Sequence, residues 1–414
     1  MLEKMKSAWR IPELRKKITY TFGMLLVYRL LCVIPVPGID IATVAAAVKD
    51  YSILDFMNMM TGGSFQSMSI MAMGITPYIN SSIILQLLTV AVPALEKLAK
   101  EGPEGRKKIQ EWTRYLTVVL AFIQAVGLVF AMRANSYGGL WYIVIGISMA
   151  AGTALAMWIG ERITENGLGN GISLLIMAGV VSNMFNWGRQ AILGVAAGTV
   201  GILPVLVVVL AFVAMIVAIT YVDMGERRIP VQYAKRMVGR KMYGGQSTHI
   251  PMKINSTGVM PLIFGFAILQ FPATIFAFFP ASGLNIWWMG FQNGIWYQVV
   301  LALLIIAFTY FYTSITFNPI DISKNMQQNG GLIPGIRQGR ATSDYLAKVS
   351  GRLTLFSALF LAVLATIPTL LTRLFGIQAP FAASSVLIAV SVGIETIRQI
   401  EAQMVMRHHK GFLG

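Results

Sequence analysis

Three histidines, one cysteine and a glycine-rich GLGNG run are the residues with which this 414-residue chain could do covalent, metal or phosphate chemistry, and none is arranged for it. His249, His408 and His409 lie in polar connections. Adjacent residues on a helix point in different directions, so His408 and His409 form neither a metal site nor a catalytic dyad. Cys32 stands in an apolar run with no second cysteine to pair with, and reads as a small buried hydrophobe. The GLGNG run from Gly167 opens an apolar stretch without a preceding strand, and the sequence holds no GxxxxGK[ST] phosphate loop. The expectation is a chain that is not an enzyme, hydrolyses no nucleotide and uses no metal or cofactor.

Uncharged polar groups gather instead between residues 70 and 92, as Asn80, Ser81, Ser82, Gln86 and Thr89. An unpartnered amide facing hydrocarbon is costly, so Asn80 and Gln86 should face protein or water, with Gln124 and Asn255 as candidate partners. From the residues alone, ordinary interhelical bonding and a functional role carry equal weight. Ile75, Ile79 and Ile83 recur every four residues and make one branched apolar stripe on a helix; Ile172 and Ile176 repeat the spacing. Such stripes are more often packing than pore.

The elements that must position these residues are ten apolar stretches, near 18–34, 70–92, 115–132, 140–160, 171–187, 200–222, 256–280, 296–317, 353–371 and 381–404. A helix crosses the hydrocarbon in about 20 residues. The composition, 56% hydrophobic and 12% charged with mean hydropathy +0.67, belongs in lipid. Of 33 Lys and Arg, 28 fall before the first stretch, in alternate connections or after Ile394. Basic residues near span ends stay in the cytoplasm, which places both termini inside. The net charge of +16 is first this topology signal. It also suits anionic headgroups or an acidic, RNA-rich partner. The first seventeen residues are polar and the run after them is long, so it reads as an anchor and not a cleaved signal peptide.

Ten stretches divide as five and five, and an odd number per half inverts the second half relative to the first. No residue-level repeat supports the symmetry. No Asp, Glu, Lys or His lies within the apolar part of any stretch, and Arg29 sits near the outer end of the first. That weighs against an ion-coupled pump, leaving a secondary transporter of inverted repeats as the alternative reading.

Two kinds of connection stand out. In 33–69, the run Ile53 to Met60 makes roughly two helical turns, ended by Thr61-Gly62-Gly63, too short to cross a bilayer. A re-entrant helix from outside is expected, an interfacial helix being the alternative. On the cytoplasmic side, RRIPVQYAKR and THIPMKI alternate in hydrophobicity and predict a projecting β-hairpin with a basic face. The connection after Asn318 carries Arg337 on a Gly-Ile-Arg-Gln-Gly turn. Two basic loops on one face suggest a docking surface.

GITPYINSSIILQLLTVAVP from Gly74, EGPEGRKKIQEWTRY from Glu101, GLGNGISLLI from Gly167, RRIPVQYAKR from Arg227, QSTHIPMKIN from Gln246 and GGLIPGIRQG from Gly330 resemble the bacterial SecY family of protein-conducting channels. The resemblance implies an all-α polytopic membrane protein in the bacterial inner membrane, with ten transmembrane helices as two inverted halves around a pore. The halves would be 18–187, with a plug at about 52–63, and 188–404, with cytoplasmic loops 223–254 and 318–352; segments 1–17 and 405–414 would be cytoplasmic. It further implies passage of unfolded polypeptide across the membrane and sideways release of apolar segments into lipid.

The resemblance also assigns residues. Ile75, Ile79, Ile172, Ile176, Ile263 and Ile388 match the family's pore ring, and Asn80, Gln124 and Asn255 its lateral gate. Leu54, Phe56, Met57, Met60, Gly62 and Gly63 match the plug. Arg227, Arg228, Lys235, Arg236 and Arg337 match the sites that bind the ribosome, through its RNA, or the SecA motor. The implied partners are SecE, SecG, SecA, the ribosome, signal sequences, nascent chains and membrane lipid, with a homodimer left open. The tenth stretch, FAASSVLIAVSVGIE, departs most from the family wording, so Ile388 is matched least closely.

Overall fold

The computed structural model describes residues 9, 11–39, 61, 63–132, 139–198, 201–233, 236–238, 241–243, 247–277, 283–375 and 383–410. The expected plug residues Leu54, Phe56, Met57, Met60 and Gly62, and Lys235 of the docking set, lie outside them; Gly63 lies within.

Thirteen described helices carry the fold: α1 (Pro12–Leu31), α2 (Thr76–Ala91), α3 (Pro93–Lys100), α4 (Pro103–Met132), α5 (Gly139–Asn166), α6 (Gly171–Ala196), α7 (Ile202–Met224), α8 (Met260–Ala277), α9 (Gly283–Asn293), α10 (Ile295–Thr316), α11 (Pro319–Gln328), α12 (Arg340–Phe375) and α13 (Ala383–Lys410). Each of the ten predicted stretches falls on one of them. Six, namely α4, α5, α6, α7, α10 and α12, are long and apolar enough to cross a membrane by themselves; the bent pair α2 and α3 would make a seventh.

Local sequence explains the boundaries. Proline opens α1, α3, α4 and α11 at a first-turn position, where its missing N–H costs nothing. Pro93 pushes Val92 into extended backbone (φ −108°, ψ 113°), and α3 leaves α2 at 101°. Asn170 caps α6, its Oδ1 accepting from the N–H groups of Ile172 and Ser173 at 3.1 and 3.3 Å. At 36 residues, α12 is about 54 Å long, well beyond a hydrocarbon core of about 30 Å, so one end must project.

Two boundaries differ from the sequence expectation. The second stretch was placed from residue 70, yet α2 begins at Thr76 and residues 63–75 form buried turns. Positive φ at Met68 (42°) and Gly74 (52°) breaks any helix there. Partners in the preceding strand-like segment satisfy the backbone: Ile70 N–H donates to Ile34 O and Val36 N–H to Met68 O, each at 2.9 Å. Irregular backbone at such depth is tolerated because protein surrounds it; Phe65, Met68, Met71 and Ala72 are fully buried. The third stretch was expected from residue 115, yet α4 begins at Pro103, so most of the EGPEGRKKIQEWTRY motif is helical.

The connections 223–254 and 318–352, expected to be cytoplasmic, form one small domain. Strands β1 (Glu226–Tyr233) and β4 (Ser247–Lys253) pair antiparallel with Glu226 opposite Lys253 and Ile229 opposite Ile250. A short pair, β2 (Arg236–Val238) and β3 (Lys241–Tyr243), lies between them in sequence. β5 (Gly331–Leu332), from the later connection, adds to β1, giving the order β4-β1-β5. Its core is Ile229, Val231, Met252, Met326, Ile333 and Leu346, with Tyr345, Val349 and Leu353 of α12 packed on it. Outside the bilayer the hydrophobic effect applies in full, at about 1.5–3 kcal/mol per buried large side chain. Within lipid, packing and interhelical hydrogen bonds must hold the helices together instead.

Candidate functional site

All six expected ring isoleucines fall in one apolar cluster. Ile75, Ile176 and Ile388 are buried, while Ile79, Ile172 and Ile263 are half-buried against them. They come from α2, α6, α8 and α13, each at the helix cap or within the first six helical residues. Tyr28 of α1, Met71, Ile159, Ile163 and Val392 complete the packing. Among the described residues the cluster holds no carboxylate or amine; its polar atoms are the phenols of Tyr28 and Tyr78 and the thiol of Cys32. Beside it lies a small, partly open pocket lined by Tyr28, Thr61, Gly74, Ile75, Thr76, Ile79 and Ile176.

Thr61 ends the segment expected to be the plug, and it is buried against this pocket. Its Oγ1 accepts from Phe65 N–H at 3.3 Å and its carbonyl from Ser64 O–H at 2.9 Å. Gly63 adopts φ +88°, which suits glycine alone at no strain and re-aims the chain after the segment. A Cβ on Gly74 would stand 3.0 Å from Thr61 Cγ2. The base of the segment is therefore held tightly beside Ile75 and Ile79.

The three amides of the expected gate are not brought together. Asn80 of α2 and Gln124 of α4 are half-buried on two helices that pack on each other. Asn255 is buried in the segment leading into α8 and turns toward the second half. Its Nδ2 donates to Asp223 Oδ1 at 2.9 Å, and its Oδ1 accepts from Ser357 O–H at 3.2 Å. Ser391 O–H of α13 donates to the other oxygen of Asp223. Sequence reasoning missed Asp223 by assigning it to a loop; it stands in the last turn of α7. The signal was an acid ending a long apolar run, where the helix dipole opposes it and only hydrogen bonds can compensate.

On the side where α2 and α4 face the second half, Tyr312 O–H of α10 donates to Gln86 Oε1 of α2 at 3.3 Å, and α8 packs on α4. Phe264 of α8 stacks obliquely with Phe308 and Tyr312, ring centroids 5.3 and 5.8 Å apart. Elsewhere α6 packs along α13, so the halves also meet behind the isoleucine cluster.

The basic residues of the expected docking surface sit on the small domain built around β1 and β4. Arg227 and Arg228 are exposed on β1, and Arg228 Nε pairs with Glu226 Oε1 at 2.6 Å. Arg236 begins β2. Arg337 is exposed on a turn between Gly335 (φ +80°) and Gly339 (φ +88°). That turn is pinned: Ser323 O–H donates to Gly339 O at 2.6 Å, Gln338 Nε2 to Gly331 O at 3.1 Å, and Thr342 O–H to Arg337 O at 2.8 Å. The guanidinium is thus presented from a fixed backbone.

The hydrogen bond and charge of Lys100, 2.5 Å away, hold the carboxyl of exposed Glu96 below the usual carboxylate range. Arg114 Nε ties α4 to Glu161 of α5 at 2.8 Å. Among the described residues no group of histidine, cysteine and acidic side chains could hold a metal ion.

A multi-spanning helical membrane protein whose helices from both halves meet in one apolar cluster, with a small basic domain built from two connections, belongs to the class of channels and not of soluble catalysts. The profile of the SecY family matches residues 69–397. The chain is 42% identical to the protein translocase subunit SecY of Streptomyces galbus, with 100% of both chains covered, and 41% identical to that of Corynebacterium glutamicum, with 98% of each covered. The SecY subunit of Mycobacterium tuberculosis is 41% identical over the whole length of both. The chain therefore belongs to the SecY family: it is a protein translocase channel subunit and not an enzyme. Among solved structures, one of a protein conducting channel superposes with a TM-score of 0.67 at 21% identity, covering 94% of this chain and 93% of that one. Sec61 in a canine ribosome-channel complex from the endoplasmic reticulum gives 0.63 at 20% identity, covering 94% and 93%. These two likenesses concern the fold.

Proposed function

We propose that the chain passes unfolded polypeptides through the isoleucine constriction and releases apolar segments sideways into lipid between α2 and α8. The observation that carries the reading is the meeting of Ile75, Ile79, Ile172, Ile176, Ile263 and Ile388 in one cluster drawn from helices of both halves. A ring of branched apolar groups dewets, blocks ions at rest and yields to a passing chain. The two halves, 18–187 and 188–404, act as inverted five-helix units of a ten-helix channel, hinged where α6 meets α13 and opening between α2 and α8, on the side where Tyr312 of α10 reaches Gln86 of α2. Segment 52–63 closes the outer side as a plug, and Asn80, Gln124 and Asn255 set the threshold for sideways exit. Family membership sets aside the secondary transporter.

Arg227, Arg228, Lys235, Arg236 and Arg337 form the surface on which energy-supplying partners dock. Ribosomal RNA is met through phosphate contacts, and the SecA motor on the same face. Two of the solved relatives are bound to ribosomes, which supports the first partner. SecE and SecG accompany the chain in the bacterial inner membrane, with both termini cytoplasmic as the distribution of 28 basic residues requires. A cysteine at Ile79, with a secretory precursor arrested in transit in proteoliposomes, tests the route. A crosslink from Ile79→Cys to the mature part of the precursor is expected; crosslinking only from lipid-facing positions such as Ile147 would overturn it.

A further inference from the structure

We infer that Asp223 is a positioning residue, a polar latch that couples the cytoplasmic docking domain to the gate helix α8; the inference rests on the function proposed above. The chain leaving α7 and the chain entering α8 run side by side. Their ladder pairs Glu226 with Lys253, and Ile254 N–H donates to Gly225 O at 3.0 Å. There the backbone ladder ends and the side chains continue it. Asp223 Oδ1 accepts from Asn255 Nδ2 at 2.9 Å, Oδ2 accepts from Ser391 O–H, and Asn255 Oδ1 accepts from Ser357 O–H at 3.2 Å. Thr257 O–H reaches the same oxygen at 3.5 Å. One half-buried carboxylate thus ties α7, the entry to α8, α12 and α13 into a single knot.

Its position gives the knot a role beyond packing. Ser357 lies one turn beyond Leu353, which packs on the core of the docking domain, so α12 links that domain directly to the latch. The second link is β4, which carries Met252 of the same core and runs straight into Asn255. Five residues after Asn255, α8 begins, and Ile263 of the constriction follows in its first turn. A partner that shifts the docking domain therefore pulls on α8 through Asn255, while Asp223 resists. Hydrogen bonds to an ionised group are about twice as strong as neutral ones, and a buried partner left unpaired adds to the cost. The latch holds the gate shut until docking supplies enough to displace it.

Complementarity of donor and acceptor makes a sharp test. Asn255→Asp sets two carboxylates against each other. In the double variant Asp223→Asn/Asn255→Asp the pair is restored with its polarity reversed, because the amide of residue 223 donates across and its oxygen still accepts from Ser391. The complex reconstituted in proteoliposomes is given a secretory precursor with an intact or a defective signal sequence, and the ratio of the two transport rates is read. Asn255→Asp and Asp223→Ala are each expected to raise the relative passage of the defective precursor roughly tenfold, and the double variant to return it toward the unmutated ratio. An unchanged ratio in the single variants, or a double variant no better than Asn255→Asp, overturns the latch. If Asn255→Asp does not assemble, Ser391→Ala, which removes one donor only, is expected to move the ratio severalfold in the same direction, and no change would overturn the proposal. Failure of the unmutated complex to pass any precursor sinks the proposed function instead. The latch is then judged by amide exchange at residues 256–263, expected faster in Asn255→Asp and restored in the double variant; equal exchange in all three overturns it.

Discussion

Tyr312 of α10 donates its phenolic proton to Gln86 of α2 across 226 positions of sequence, at 3.3 Å on an exposed edge between the first and second halves of the chain. The bond is long and lies at the edge of the contact, as suits a seam that opens. A hydrogen bond contributes about 0.5–1.5 kcal/mol net, and this one belongs at the lower limit. Tyr312→Phe removes it while keeping the ring packed on Phe264. The expected outcome is a modest rise, about twofold, in transport of precursors with weakened signal sequences, without loss of assembly. A rise of a hundredfold, or none in either Tyr312→Phe or Gln86→Leu, would show that the seam is held elsewhere.

The constriction makes a stronger prediction. Ile263 is half-buried against the shared isoleucine cluster, and an amide in its place lets water wet the throat. Ile263→Asn is expected to raise resting ion conductance several-fold in planar bilayers, and Ile263→Val to leave it low, since the replacement stays branched and apolar. Equal conductance of the two variants would remove the ring from its sealing role.

Much of the helical layout was legible because an apolar run of about twenty residues admits few structures in lipid. Ile75, Ile79, Ile172 and Ile176 stood out through their spacing, whereas Ile263 and Ile388 were reached only through the family resemblance. Residues 70–75 were not legible: IMAMGI is as apolar as the span it precedes, and only Met68 and Gly74 in left-handed backbone, with Ile34 and Met68 carbonyls as partners, make it part of a buried turn. The pairing of β5 with β1 was hidden because it joins residues 232 and 332, and a two-residue strand leaves no period to read. Asp223 was hidden by its neighbours in sequence, since its hydrogen-bond partners Asn255 and Ser391 are remote along the chain.

Close packing behind the turn predicts a stability effect. A Cβ on Gly152 of α5 would stand 2.0 Å from Ile70 O, a backbone atom that cannot move without disturbing its own hydrogen-bonded segment. Overpacking of this kind costs about 1–3 kcal/mol, more where backbone is the obstacle. Gly152→Ala should lower the melting temperature of the detergent-solubilised complex, whereas Gly188→Ala, with open space around its Cβ, should not. The comparison is read by thermal shift; equal melting temperatures would mean that α5 can slide.

Docking is predicted to depend on salt through Arg337. Its exposed guanidinium stands on a pinned turn, so Arg337→Ala should remove charge and leave the small domain folded. Ribosome co-sedimentation across a salt series is expected to weaken, with the log–log salt slope reduced by roughly one for a lost phosphate contact. A weaker complex with an unchanged slope would place Arg337 against protein and not RNA.

The segment from Ser52 to Gly63 yields the last prediction. Its base is fixed, because Thr61 is buried beside Ile75 and Ile79 and bonded to Ser64 and Phe65, while Gly74 leaves no room for a larger residue facing it. A helix of about two turns, as expected for Ile53 to Met60, would bury little surface, so a closed position would be only marginally favoured and easily vacated by a passing chain. Deleting 52–60 while retaining Thr61 to Gly63 should keep the fixed base, preserve assembly and transport, and raise resting conductance. Deleting through Thr61 should also loosen the 63–75 turn and reduce the yield of assembled complex. Conductance and yield measured on both deletions separate the two roles. A tight resting channel in the shorter deletion would make the segment a strut and not a plug.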